Sequence, residues 1–201
     1  MTFCISCDFD GTITLTDTVN ALLAEFALPE WLAIEDDWCK LDAYLDAVAV
    51  DADVKGFFDD CFRLGLPVTV VSDGYDWAIR RVLSRIGVRG VPIIANRLAH
   101  VGDDRWTVLF PHSTPACGSG VCKCAAASGK AHQVHIGDGR SDVCAADLAD
   151  IVFAKGYLLE SRAGRGLDST PFKSFGEIRA HLGGLEALLP QTAPAFAQRI
   201  A

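Results

Sequence analysis

Positive charge is in short supply in this chain. Lys and Arg number 18 against 26 Asp and Glu, leaving a net charge of −8, and the cations form no stripe. Affinity for a nucleic-acid backbone needs clustered cations, so no nucleic-acid partner is expected. Long apolar runs are missing too: no stretch approaches the roughly 18 uncharged residues of a bilayer-crossing helix, and no membrane partner is expected. Near the start there is no cationic stretch followed by an apolar one, and Asp8 and Asp10 interrupt it early, so a secretory leader is not expected. Internal repeats and low-complexity segments are absent. Cysteine, by contrast, is not scarce. Eight of them without a leader read as reduced thiols in a cytoplasmic protein, not as a disulfide framework. With 201 residues, half of them hydrophobic, the chain can build one substantial core and at most a small appended subdomain.

Strand and helix signals alternate along the chain. "FCISCD" is a short buried strand that ends in acid. "LPVTVVSDG" (66–74) is rich in β-branched residues, "HQVHIGDG" (132–139) follows the same plan, and "ADIVFAK" (149–155) is a fourth strand. Between them, "WAIRRVLSRIG" carries Ile79, Val82, Leu83 and Ile86 at helical spacing and stops at Gly87, and "SDVCAADLA" opens with a helix-capping type of residue. "NRLAHVGDDRWTVLF" reads as a β-hairpin turning at "GDD". Strands separated by helices predict a parallel sheet in an α/β fold, with ligands at the carboxyl ends of the strands.

Three of those ends are alike. "CDFDG", "VSDG" and "IGDGRSD" each set an acid or hydroxyl beside glycine where a hydrophobic strand stops. Any one of them alone could be a turn; three that converge if the strands are neighbours point to one site. At the first, Asp8 and Asp10 flank Phe9, and positions two apart in an extended chain project the same way. Two carboxylates so crowded raise one pKa or call for a cation. Cys4 and Cys7 are three apart and fall on opposite strand faces, so their CxxC spacing is discounted as a metal site.

These motifs resemble those of the haloacid dehalogenase superfamily in its phosphoserine-phosphatase-like branch, over about residues 2–155. Within the branch, "PEWLAIEDDW" and "IGDGRSDVCAADLADIVFAKGYL" are similar to the methionine-salvage phosphatases, and "CGSGVCK" to an element of the phosphoethanolamine and phosphocholine phosphatases. The resemblance implies a Rossmann-like doubly wound parallel sheet with a small helical cap inserted after the first strand, and a Mg²⁺-dependent phosphatase acting on a small phosphorylated metabolite. It implies that Asp8 attacks phosphorus and that Asp10 serves as acid, then base. Mg²⁺ would be held by Asp8, the Asp10 backbone carbonyl and Asp138, supported by Gly139 and Asp142; oxygen ligands suit that ion. Gly11, Thr12, Ser72, Asp73, Gly74 and Lys123 would bind the phosphate. Lys123 follows Cys122 as in the family element and stands 15 residues before Asp138; Lys130, only 8 before it, is the alternative.

The expected boundaries are a core of residues 1–13 and 66–190, a reduced helical cap at 14–65 and a tail at 191–201. Asp17, Asn20, Phe26, Trp31 and Tyr75 are candidate pocket residues, with cap helices in "TVNALLAEFAL" and "LDAYLDAV". "PHSTPACGSGVCKC" reads as a flexible loop over the site, although His112, Cys117, Cys122 and Cys124 match a tetrahedral Zn²⁺ site in number. The remaining histidines, His135 among them, read as structural or exposed. "FGEIRAHLGGLEALL" reads as one amphipathic helix weakened at Gly183 and Gly184. Two other classes stay open: a phospho-accepting signalling domain and a non-catalytic, zinc-stabilised binding module.

Overall fold

The computed structural model describes residues 2–18, 37–102, 105–115, 117–126 and 131–189. Its frame is a seven-stranded sheet in the order β4-β3-β2-β1-β5-β6-β7. The strands are β1 (Phe3–Cys7), β2 (Val68–Tyr75), β3 (Ile93–Gly102), β4 (Arg105–Leu109), β5 (His132–Gly137), β6 (Ile151–Ala154) and β7 (Thr170–Pro171). All neighbours run parallel except β3 and β4, the anticipated hairpin. Its first strand begins earlier than the sequence indicated, because Ile93 and Ile94 pair with β2 before the hairpin leaves the main sheet.

The chain moves outward from β1 to β2 and β3, then returns to β1's other side with β5, so the order reverses at β1. Such a reversal leaves a crevice at the carboxyl ends of the central strands. Cys7 lies opposite both Val70 and Ile136, so the three motif-bearing strands finish level with one another. Between Val71 and Tyr75 the β2–β3 register shifts; Ser72, Asp73 and Gly74 lie in that irregularity, which turns strand residues toward the crevice.

The described helices are α1 (Asp37–Ala47), α2 (Val54–Leu64), α3 (Asp76–Arg85), α4 (Lys123–Ala126), α5 (Val143–Ala146), α6 (Gly156–Gly164) and α7 (Phe175–Arg179). Helix α2 places Val54, Phe57, Phe58 and Cys61 at i, i+3, i+4 and i+7, and all four are buried. Gly65 stops it in a left-handed conformation, φ 67°, with its N–H returning to carbonyls of the last turn. The Phe57 ring meets Phe175 of α7 edge-on, centroids 5.0 Å apart.

This packing corrects the expected cap boundary at residue 65: α2 belongs to the core. The neck of the insert lies earlier. Thr14 bridges Val50 in antiparallel fashion, and the Leu15 N–H donates to the Ala49 carbonyl at 3.0 Å. The two ends of the insert meet there, although Leu45 of α1 and Val48 after it also belong to the core. Most of "TVNALLAEFAL", together with Asn20, Phe26 and Trp31, lies outside the described residues, as do Lys130 and the tail 191–201; "LDAYLDAV" contributes to α1.

The segment after Lys155, for which no element was expected, forms α6, and Arg162 pins it by donating to the Ala146 carbonyl at 3.0 Å and the Asp168 carbonyl at 2.6 Å. The single C-terminal helix is instead α7 followed by a 3₁₀ stretch at Leu182–Leu188, kinked where Gly184 leaves helical geometry. Two adjacent glycines give the backbone that freedom.

Candidate active site

The first motif forms a tight turn directly after β1. Asp8 is buried, and its N–H is taken by the Ile136 carbonyl at 2.9 Å, which locks it between β1 and β5. The N–H groups of Ile13 and Thr14 return to the Phe9 carbonyl. Gly11 closes the turn at φ 73°, and a Cβ there would stand 2.5 Å from Asp138 Oδ2. Only glycine lets the two loops approach so closely.

Across the crevice the groups converge. One oxygen each of Asp8, Asp138 and Asp142 lie within 4.8 Å of one another. Lys123 Nζ donates to Asp8 Oδ1 at 2.6 Å and to Asp142 Oδ1 at 2.7 Å, and all three side chains are at least nine-tenths buried. Burial works against the Lys123 charge, but the two carboxylates outweigh it and hold its pKa above that of ordinary lysine. Burial pushes the Asp8 carboxyl up, reinforced by Asp142 and opposed by Lys123. Asp142 is held low despite burial, by Lys123 and His135.

Asp142 is fully engaged. Its Oδ2 accepts the N–H groups of Asp138 at 3.2 Å and Gly139 at 2.9 Å, and its Oδ1 faces His135 Nε2 at 3.2 Å. Gly137 is required beneath it, since a Cβ would meet the carboxyl carbon at 2.6 Å. His135 is fully buried, and its Nδ1 contacts Ser6 Oγ at 2.9 Å. A continuous polar chain thus runs from Ser6 through His135, Asp142 and Lys123 to Asp8. Reading His135 as structural or exposed missed this link; the available signal was a His between the apolar Val134 and Ile136 of β5, two before the "GDG" turn.

Asp10 sits to one side. Its Oδ1 accepts the Thr18 N–H at 2.8 Å and the Thr18 hydroxyl, while Ser72 Oγ approaches Oδ2 at 3.4 Å. Burial raises its pKa and the Thr18 hydrogen bonds offset part of the rise. Thr18 was not anticipated from the sequence.

Not every expected phosphate contact faces the crevice. A cavity of about 690 Å³ is lined by Asp8, Asp10, Gly11, Ser72, Gly74 and Lys123 on the expected side, with Asp138 and Gly139 opposite. Thr12 is fully buried and donates its hydroxyl to Asp138 Oδ1 at 2.9 Å, so its side chain orients that acid, while its backbone N–H, the group expected at the phosphate, stands 3.3 Å from the Phe9 carbonyl. Asp73 lines the cavity, yet its Oδ1 accepts the Val121 N–H at 2.7 Å and its carbonyl accepts Asn96 Nδ2. Its negative charge suits it to anchoring the 111–122 loop, not to meeting an anion. Arg140 and Ser141, which the sequence reading passed over, also line the cavity.

The donor set fits Mg²⁺. Asp8 and Asp138 present hard oxygens beside a Gly11 turn with no side chain to fill the space, and of the three clustered carboxylates Asp8 and Asp142 share the Lys123 ammonium. Asp142, already committed to Lys123, His135 and two N–H groups, serves as a brace.

A doubly wound sheet with a carboxylate-rich crevice at its reversal point defines an α/β protein with a candidate active site there. No protein-family model matches the chain. It is 28% identical to a 2-hydroxy-3-keto-5-methylthiopentenyl-1-phosphate phosphatase of Bacillus velezensis, covering 92% of this chain and 93% of that one. It is also 28% identical to the phosphatase of that name in Geobacillus thermodenitrificans, covering 90% and 96%. Among solved structures it resembles a phospho-aspartyl intermediate analogue of phosphoserine phosphatase, with TM-score 0.64, 18% identity and coverage of 90% and 98%. Cytosolic 5′-nucleotidase IIIB bound to cytidine shares the fold at TM-score 0.58 and 16% identity, covering 92% and 86%. In sequence the chain is similar to these phosphatases, and in fold to phosphoserine phosphatase.

Proposed function

We propose that this enzyme is a Mg²⁺-dependent phosphomonoesterase that hydrolyses a small phosphorylated metabolite through an aspartyl-phosphate on Asp8. The observation that carries the reading is Asp8 at the cavity floor, one oxygen tied to Lys123 at 2.6 Å, with Asp10 held separately by Thr18. One carboxylate is oriented as a nucleophile beside a second whose pKa burial raises, a division of labour suited to acid–base work.

In the first half-reaction an Asp8 oxygen forms a bond to phosphorus and the ester P–O bond breaks. Asp10 gives its proton to the departing alkoxide. In the second, Asp10 takes a proton from water, whose oxygen attacks phosphorus; the bond to Asp8 breaks and inorganic phosphate leaves. Mg²⁺, held by Asp8, the Asp10 carbonyl and Asp138, supplies charge stabilisation and a template for the phosphoryl oxygens. Lys123 neutralises Asp8 as the anionic ester approaches. Ser72 and the backbone around Gly11 and Gly74 offer hydrogen bonds to phosphoryl oxygens. Asp138 is aimed by Thr12, and Asp142 holds Lys123 and the Asp138 turn in place. Residues 15–49, beyond the Thr14–Val50 neck, are assigned to a reduced cap. A cytoplasmic setting agrees with the seven free thiols among the described residues.

The relatives' name makes the enolic methionine-salvage ester the leading substrate candidate. The test is a panel of phosphate esters with Mg²⁺: that ester, phosphoserine, phosphoethanolamine and phosphocholine. Turnover of at least one is expected, with Asp8→Asn lowering it on the order of 10⁴-fold or more. Unchanged turnover in a folded Asp8→Asn enzyme would refute the mechanism.

A further inference from the structure

A second cluster of metal-type ligands lies outside the catalytic crevice. The Sγ atoms of Cys117, Cys122 and Cys124 all lie within 4.8 Å of one another. Cys144, on α5, makes thiol contacts with Cys124 and Cys117. Three thiols of one segment therefore cluster, with a fourth from a second segment beside two of them. We propose that Cys117, Cys122, Cys124 and Cys144 form a structural Zn²⁺ site that clamps the lysine-bearing loop to the helix after the "GDG" turn.

Geometry favours the metal. Tetrahedral zinc with Zn–S bonds near 2.3 Å sets its sulfurs about 3.8 Å apart, so the three loop thiols need close by no more than about 1 Å. The loop already holds Cys122: its carbonyl accepts the Ala125 N–H at 3.1 Å, and its thiol contacts the Thr114 hydroxyl, which favours the thiolate that zinc requires. The loop is shaped around the cluster by a Thr114–Cys117 bridge and by the Cys122 N–H, which donates to the His112 carbonyl at 2.8 Å. His112, the histidine that the sequence suggested as a ligand, thus enters through its backbone, and Cys144 takes the fourth place.

The surroundings supply a reason for a clamp. Helices α4 and α5 have four residues each, too few to be stable alone. Lys123, flanked in sequence by Cys122 and Cys124, must nevertheless carry a buried charge to Asp8. Binding is not a redox step: four S–H bonds lose protons to solvent, four Zn–S bonds form, and nothing is oxidised. The part assigned to Lys123 rests on the proposed mechanism; the zinc site itself does not.

Elemental analysis of the full chain, purified with zinc and without strong chelators, should find one zinc per chain. Co²⁺ in its place should give the absorption of a tetrahedral tetrathiolate, which distinguishes this site from the oxygen ligands of the crevice. Cys4→Ser and Asp8→Asn should keep the metal. Cys124→Ser and Cys144→Ser should weaken it at least ~10-fold. A chain that binds neither metal through sulfur, or whose mass shows these cysteines paired as disulfides, overturns the site; full retention by a folded Cys144→Ser variant overturns its ligand set. If the serine variants fail to fold, metal content and cobalt spectrum of the unaltered protein still decide. Zinc without phosphatase turnover would sink the proposed function alone, and turnover without zinc this inference alone.

Discussion

At the scale of single residues, charge burial dominates. Lys123 lies between Asp8 and Asp142 in a setting nearly closed to water. Removing one member of a buried ion cluster leaves the others uncompensated, which costs about 3–5 kcal/mol. Lys123→Ala should therefore lower unfolding stability by that amount in urea titration as well as remove turnover; a variant as stable as the parent would contradict the buried triad. Gly11 is a different kind of requirement. Gly11→Ala would force a methyl against Asp138 Oδ2 at a positive φ, and the Mg²⁺ concentration for half-maximal turnover is expected to rise at least ~10-fold. An unchanged metal requirement would show that Asp138 can retreat at no cost. The acids and the glycine were legible in the sequence because a strand ending in "DFDG" is chemically unusual. What the sequence could not show is which loops the Thr12 and Asp73 side chains serve, since those partners, Asp138 and Val121, are far along the chain.

At the scale of elements, α2 is the instructive case. Its apolar residues repeat at helical spacing, but periodicity says nothing about which body a helix packs on, so the sequence placed it in the cap. The edge-on contact of Phe57 with Phe175 joins residues more than a hundred positions apart. Phe57→Ala should cost about 3–5 kcal/mol, as for other buried phenylalanines, read from chemical denaturation. A loss below about 1 kcal/mol would return α2 to the periphery. The kink at Gly184 follows the same rule: the paired glycines were visible, while the resulting break depended on how Leu182 and Leu185 reach the core.

At the scale of the whole molecule, the catalytic arrangement is produced by strand order. Only with β2 and β5 on either side of β1 do Ser72 and Asp138 stand beside Asp8. In the proposed mechanism Mg²⁺ would serve charge balance more than the fold, which rests on a separate hydrophobic core. Dialysis into Mg²⁺-free buffer should abolish turnover and leave the circular dichroism spectrum unchanged, with activity returning when Mg²⁺ is added back. Loss of secondary structure on dialysis would mean that the crevice cannot exist without its cation.

The sequence by itself determined the α/β class and marked Asp8, Asp10, Asp138 and Lys123, which line one cavity, because local patterns and residue chemistry survive without knowledge of neighbours. Tertiary structure alone decided that His135 braces Asp142, that Thr18 holds Asp10, that Thr12 serves Asp138, and that Cys144 comes up to Cys117 and Cys124. Each of those is a contact between segments whose proximity is set by strand register and crossover packing, and no local pattern encodes such distances.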